Sequence, residues 1–181
     1  KEYRCIVPDH IGCGLSDKPQ DYRYQLEDHV DNLVRLVEAL DLRNITLVVH
    51  DWGGPIGYST ALRLPDRFKR FVVFNTLSRM GQFPLSIRML RWPLIGPTIV
   101  RGFNGFVKFA IKKGTARPDK FQGAVAKGYL APYDNWQNRV AVQRFVEDIP
   151  IESNHPTKPF GEALERQLTE FADRPHLVIW G

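Results

Sequence analysis

The sequence predicts a doubly wound α/β fold, with a mostly parallel sheet and an inserted helical cap. Short apolar runs rich in β-branched residues, typical of buried parallel strands, alternate with segments whose apolar residues recur every three or four positions, as on one helix face. This alternation stops after residue 77, and the strand pattern resumes only at residue 177. The 181 residues suffice for one globular core, and no apolar run approaches the roughly 18 residues of a membrane-spanning helix.

The first half of the chain supplies most of the predicted sheet. A short apolar strand over Tyr3–Val7 ends at Pro8 and leads into a glycine-containing loop at 9–19. The spacing of apolar residues by four and three positions then predicts a helix with one apolar face: Leu26, Val30, Leu33, Val37 and Leu40. The remaining elements are strands at Ile45–Val49, Phe71–Phe74 and Leu177–Trp180, and a helix at Ile56–Leu64 that Pro65 ends.

Residues 78–160 are predicted to form the helical cap, and residues 1–77 and 161–181 the core. A further helix in the cap is predicted from one apolar face, formed by Phe103, Phe106, Val107, Ala110 and Ile111. Only four strands are visible, and the last stops one glycine after Trp180. We therefore expect the chain to be part of a longer polypeptide.

Positive charge is concentrated in the predicted cap. Residues 78–130 contain ten Lys and Arg and a single acid, Asp119. The basic stretch 79–127 is best explained as a solvated cap surface, next as a contact with an anionic membrane surface or an acidic protein, and least as a nucleic-acid site, because no recognition motif accompanies the charge. The two cysteines, Cys5 and Cys13, are too few for a disulfide framework or a four-ligand zinc site, which favours free thiols in a reducing, cytoplasmic compartment.

The segment with the clearest chemical signature is ITLVVHDWGGPIG, residues 45–57. A buried strand runs directly into a helix, with Asp51 at the corner, and Gly53 and Gly57 allow helix and strand to approach closely. This is the layout of a nucleophile elbow, with Asp in place of the usual Ser. The corner exposes its side chain beside a helix N-terminus, where N–H groups and the helix dipole favour an ionised carboxylate.

An ionised Asp51 suits attack on a carbon that bears a good leaving group, which gives an ester intermediate. Trp52 follows, and its indole N–H, a donor only, can hold an anion released beside Asp51. The structural alternative is that Asp51 is a helix N-cap and Trp52 a core aromatic residue. The strand–HDWGG–helix context favours the nucleophile.

These motifs resemble haloalkane dehalogenases, within the α/β-hydrolase superfamily. VVHDWGG looks like their nucleophile elbow, PDHIGCGLSDKP at 8–19 like their loop after an early strand, and FVVFNT at 71–76 like the strand after the elbow helix. The segment at 131–150, NHPT at 154–157 and RPHLVIWG at 174–181 resemble the end of the cap and the return to the sheet. HDWGG is shared with epoxide hydrolases, which usually have Gly where this chain has Val49.

The resemblance implies that Asp51 is the nucleophile, and that Trp52 binds halide through its indole and an oxyanion through its backbone N–H. The family's base is a His after the last strand, and its acid follows either the FVVFNT strand or the LVIWG strand. Residues 75–83 contain no acid. We therefore expect base and acid to lie beyond Gly181, outside this chain, and the isolated chain to be inactive.

Within the family, the cap motifs look closest to a subgroup that includes β-lactone decarboxylases of long-chain olefin biosynthesis. The elbow cannot separate that activity from dehalogenation, so both stay open, together with epoxide hydrolysis and a catalytically dead binding module. Either enzyme would take a small apolar substrate. The cap aromatics and Met89 suit such a pocket and suit ordinary packing nearly as well: Phe83, Trp92, Phe103, Phe106 and Phe109.

None of the five histidines has the partners of a catalytic base. His50 is assigned structural support and His10 loop bracing, while His29 is expected to be partly solvated and His155 and His176 to lie at a turn or strand entry. No His, Cys and Asp cluster has metal-ligand spacing, and GCG at 12–14 lacks the strand–helix frame of a dinucleotide site. The sequence thus predicts neither a metal nor a cofactor.

Overall fold

A three-stranded parallel sheet organises the core, in the order β1-β2-β3. The computed structural model describes residues 2–76 and 83–181. Its strands are β1 (Ile45–His50), β2 (Phe68–Phe74) and β3 (His176–Ile179). Its helices are α1 (Leu26–Ala39), α2 (Gly53–Arg63), α3 (Leu85–Met89), α4 (Ile95–Pro97), α5 (Gly105–Lys113), α6 (Gly123–Leu130), α7 (Val140–Glu147) and α8 (Lys158–Gln167).

Three predicted strands are confirmed, with shifted ends, and one is wrong. Tyr3–Val7 is not a strand, because no neighbouring strand pairs with it among the described residues and a strand depends on such a ladder. Val7 is 90% exposed. The described sheet therefore has three strands instead of four. The helices predicted at 26–40 and 56–64 are present, the second beginning three residues earlier, at Gly53.

One face of the sheet is packed by apolar side chains from its connecting helices. The largest cluster of buried residues comprises Val37, Val49, Tyr58, Ala61, Phe68, Phe71, Val73, Leu164 and Phe171. The Tyr58 and Phe71 rings stack with centroids 5.0 Å apart, and His176 stacks on Phe71 at 4.8 Å. His176 thus enters β3 as predicted, with its ring packed against the core.

His29 corrects one expectation. Its side chain is only 1% exposed, not partly solvated, because it lies one residue before Val30 on the buried side of α1. The buried side of α1 therefore includes a polar residue outside the predicted apolar face.

The buried carboxylate of Asp148 ties the start of α1 to a distant part of the chain. It accepts a hydrogen bond from the Leu26 N–H at 2.7 Å and another from the Thr157 hydroxyl. An N-terminal helix N–H has no partner within its own helix, so Asp148 satisfies one that would otherwise be buried and unpaired. Burial raises the pKa of Asp148, while these two hydrogen bonds oppose the shift.

The described residues form two compact units, one of residues 25–76 and 148–181 and the other of residues 2–24 and 83–147. Residues 148–160 therefore group with the sheet, and residues 2–24 with most of the predicted cap. The predicted boundary between residues 77 and 78 lies outside the described residues. Among the described residues, no helix has the length and apolar composition needed to cross a membrane.

Arg139 organises the second unit. Its guanidinium donates to the backbone carbonyls of Tyr133, Arg101 and Asp134. Because Arg presents five donors in a planar fork, one side chain joins these segments. The helix predicted to include Phe103 begins only at Gly105, after Asn104 in the left-handed conformation, with φ of +53°.

We expect Asp148→Ala to lower the free energy of unfolding by about 2–4 kcal/mol, because it leaves the Leu26 N–H and the Thr157 hydroxyl without their acceptor. Asp148→Asn, which keeps one carbonyl oxygen, should cost less. Urea denaturation measures both, with Glu162→Ala, an exposed acid on α8, as the control. Equal stability of Asp148→Ala and Glu162→Ala would contradict this role of Asp148.

Candidate functional site

The structure places Asp51 at the tight corner between a strand and a helix, as predicted. β1 ends at His50 and α2 begins at Gly53, so Asp51 and Trp52 alone connect them. Asp51 has a φ of +48°, in the left-handed region that non-glycine residues rarely occupy. Strain of this kind costs about 1–3 kcal/mol and persists only where surrounding contacts hold it, commonly at functional sites.

Three hydrogen bonds hold the backbone of Asp51, and two of them are with the residues directly after β2. The Asp51 N–H donates to the Asn75 carbonyl at 3.1 Å. The Thr76 hydroxyl donates to the Asp51 carbonyl at 2.6 Å, and the Gly54 N–H donates to the same oxygen at 3.0 Å. Both backbone polar groups of Asp51 are therefore hydrogen-bonded, and the backbone conformation at the corner determines where its side chain begins.

Asn75 extends this network to the residues after β3. Its side-chain Nδ2 donates to the Gly181 carbonyl at 2.9 Å, and its Oδ1 accepts from the Gly181 N–H at 3.1 Å. Asn75 thus joins the carboxyl ends of all three strands. The sequence alone did not assign a role to Asn75 or Thr76. Their position directly after a strand that runs parallel to the nucleophile strand could have indicated that they lie near the site.

Two glycines of α2 are required by close approach. A Cβ on Gly57 would lie 2.8 Å from Val49 Cγ1 and 3.1 Å from Leu47 Cδ2, both on β1. A Cβ on Gly54 would overlap the Thr76 hydroxyl. Gly53 differs, because a Cβ there would meet only Val49 Cβ at 3.8 Å, an ordinary contact.

The Asp51 side chain is exposed and Trp52 is half-buried. The interpretation of Asp51 as the helix N-cap is wrong, because Trp52 occupies that position and no side-chain capping bond is present there. Trp52 as a wholly buried core residue is likewise not observed. That the Asp51 carboxylate faces a substrate cavity stays a prediction.

The described histidines supply local structure. His50 is exposed at the end of β1, and the His155 Nδ1 accepts the Thr157 N–H at 3.2 Å, which confirms a turn role. Burial lowers the pKa of His10, against the opposing effect of Asp9. Hydrogen bonds within the loop include one from the Cys13 N–H to the His10 carbonyl at 2.8 Å and one from the Leu15 N–H to the Asp9 carboxylate at 2.9 Å. Among residues 2–76 and 83–181, no group of three His, Cys, Asp or Glu could hold a metal ion.

Comparison with known proteins places these features in a family context. The family model for the α/β hydrolase fold matches residues 1–181. A cis-3-alkyl-4-alkyloxetan-2-one decarboxylase of Shewanella oneidensis is 42% identical over 99% of this chain and 58% of its own length. A haloalkane dehalogenase of Psychrobacter cryohalolentis is 32% identical over 98% of this chain and 57% of its own.

Solved structures agree with the sequence relatives. The crystal structure of the ancestral haloalkane dehalogenase AncHLD2 superimposes with a TM-score of 0.84 at 28% identity, covering 98% of this chain and 64% of that one. The chain therefore spans about three fifths of the length of the proteins that it resembles.

Gly57 and Gly53 of α2 provide a matched pair for testing the corner. We expect Gly57→Ala to reduce the free energy of unfolding by about 1–3 kcal/mol, because its methyl group must displace Val49 or Leu47. Gly53→Ala adds the same methyl group at the helix start, where space exists, and should leave stability unchanged or raise it slightly. Thermal and urea denaturation of both variants measure the difference, and equal effects would contradict the packing described for β1 and α2.

Proposed function

The chain belongs to the α/β-hydrolase fold family, and from this premise we propose that it is part of an enzyme in which Asp51 opens an oxetan-2-one, a four-membered β-lactone ring. The observation that carries the proposal is the strained, doubly anchored backbone of Asp51 at the elbow. Identity to the oxetan-2-one decarboxylase, 42% against 32% to the dehalogenase, favours the lactone over the alkyl halide.

The proposed reaction balances without water or an external base. An Asp51 carboxylate oxygen bonds to the saturated ring carbon that carries the ring oxygen, not to the carbonyl carbon, and the bond between that saturated carbon and the ring oxygen breaks to release a carboxylate. This carboxylate then leaves as CO₂, its carbon–carbon bonding pair forms the alkene, and Asp51 departs as a carboxylate. The substrate's alkyl chains are apolar, so binding would rely on burying them.

The second candidate is haloalkane dehalogenation, supported by the dehalogenase relative and by the structural match to AncHLD2. Asp51 would attack the carbon that bears the halogen, forming an ester as the halide leaves beside Trp52. Water would then hydrolyse the ester with the help of a base, which we expect outside this chain. An epoxide hydrolase and a catalytically dead module are weaker alternatives, tested by the same assays.

Replacing the nucleophile should stop either reaction. We expect Asp51→Asn in the full-length protein to reduce turnover by at least about 10³-fold, because the neutral amide cannot form the ester. Alkene formation from a cis-dialkyl oxetan-2-one and bromide release from a 1-bromoalkane are the two measurements. Slow recovery during incubation would indicate deamidation of Asn back to Asp.

Asp66→Asn makes the same chemical change at an exposed position and is the matched control. Full activity of Asp51→Asn on either substrate would exclude Asp51 as the nucleophile for it. No turnover of either substrate, or of an epoxide, by the unmodified protein would favour the binding module.

Trp52 separates the two candidate activities. Trp52→Phe keeps most of the bulk and removes the indole donor, so dehalogenation should fall by about 10²–10³-fold if that donor stabilises the departing halide. Lactone decarboxylation should fall less. A hydrogen bond from the indole would stabilise the transient carboxylate, but that carboxylate must lose its charge when it leaves as CO₂, so the donor contributes less to the rate. An unchanged rate of bromide release would remove Trp52 from the dehalogenation mechanism.

A further inference from the structure

Helix α5 exposes an aromatic ring in the middle of a basic surface. At 100° per residue, Lys108, Lys112, Phe109 and Lys113 fall within an arc of about 140°. All four are exposed, and Phe109 is 64% exposed. We call these four residues the α5 outer face. The half-buried residues Phe106, Val107 and Ile111 lie on the rest of the helix.

Other apolar side chains near α5 are exposed as well. Phe103, just before α5, is 68% exposed, and the Lys108 ammonium donates to its carbonyl at 2.9 Å. Helix α6, which packs beside α5, exposes Val125 and Tyr129 one turn apart, at 48% and 54%. Single exposed apolar residues are ordinary, but an exposed ring among basic side chains is typical of a helix that lies at a membrane interface.

The lysines of the α5 outer face lie in a stretch of the sequence that is poor in acids. Helix α5 has no acidic residue, and Asp119, the single acid of residues 78–130, pairs with Arg117 at 2.9 Å. Lys112 and Lys113 form no ion pair with any residue within 2–76 and 83–181. The uncompensated charge therefore selects an anionic partner.

We propose that the α5 outer face docks on an anionic lipid membrane, with Phe109 inserted among the headgroups and the three lysines against lipid phosphates. Lysine stems extend along apolar material while their ammonium groups stay hydrated, which suits a headgroup layer. The Phe109 ring, which lies among these lysines around the helix, gains the free energy of burial when it enters the layer. This proposal is independent of the reaction at Asp51.

The test is flotation of the full-length protein with vesicles, comparing phosphatidylglycerol mixed with phosphatidylcholine against phosphatidylcholine alone. We expect binding only to the anionic vesicles, and weaker binding as salt is raised. The triple variant Lys108→Gln, Lys112→Gln, Lys113→Gln should weaken partitioning by about 100-fold, since each lysine near an anionic surface contributes about fivefold. Phe109→Ser, which leaves the charge intact, should weaken it by about tenfold.

The matched control, Arg35→Gln, Lys69→Gln, Arg166→Gln, removes the same charge from exposed positions of the other unit. It should bind as the unmodified protein does, with all variants showing unchanged circular dichroism. Equal losses in both triple variants would mean that net charge, not this face, drives binding. Absence of binding to anionic vesicles would overturn the proposal and favour an acidic protein as the partner.

Discussion

The site depends on how the backbone of one residue is held. Asp51 adopts a left-handed conformation that its own side chain disfavours. A hydrogen bond from its N–H to the Asn75 carbonyl, and hydrogen bonds from Thr76 and Gly54 to its carbonyl, keep it there. None of these contacts uses the carboxylate. The fold thus fixes where the side chain begins while leaving its oxygen atoms for chemistry, the arrangement that a nucleophile requires.

The helix after the corner is shaped by the same requirement. Gly54 is small where Thr76 approaches, and Gly57 is small where α2 crosses Val49 and Leu47. A helix carried further from β1 would move its first N–H groups away from the corner. The glycines therefore belong to the site as much as to the core, although they contribute no functional group.

The sequence predicted the corner well because its signals are local. A β-branched run, an Asp and closely spaced glycines determine strand, turn and helix within thirteen residues of 45–57. The roles of Asn75 and Thr76 depend on which strands are neighbours, and periodicity does not report this. The prediction of a strand at Tyr3–Val7 was wrong for a related reason, since an apolar run becomes a strand only where another strand pairs with it. The burial of His29 likewise depends on what packs beside α1, not on its own helix.

The bridge between Asn75 and Gly181 has an evolutionary consequence. The primary amide of Asn75 both donates to the Gly181 carbonyl and accepts from its N–H, whereas an ionised carboxylate at position 75 would have no hydrogen to donate to that carbonyl. The resemblance places the catalytic acid of related enzymes after either of these two strands. A lineage that moved its acid to position 75 would have to give up this bridge in the same step.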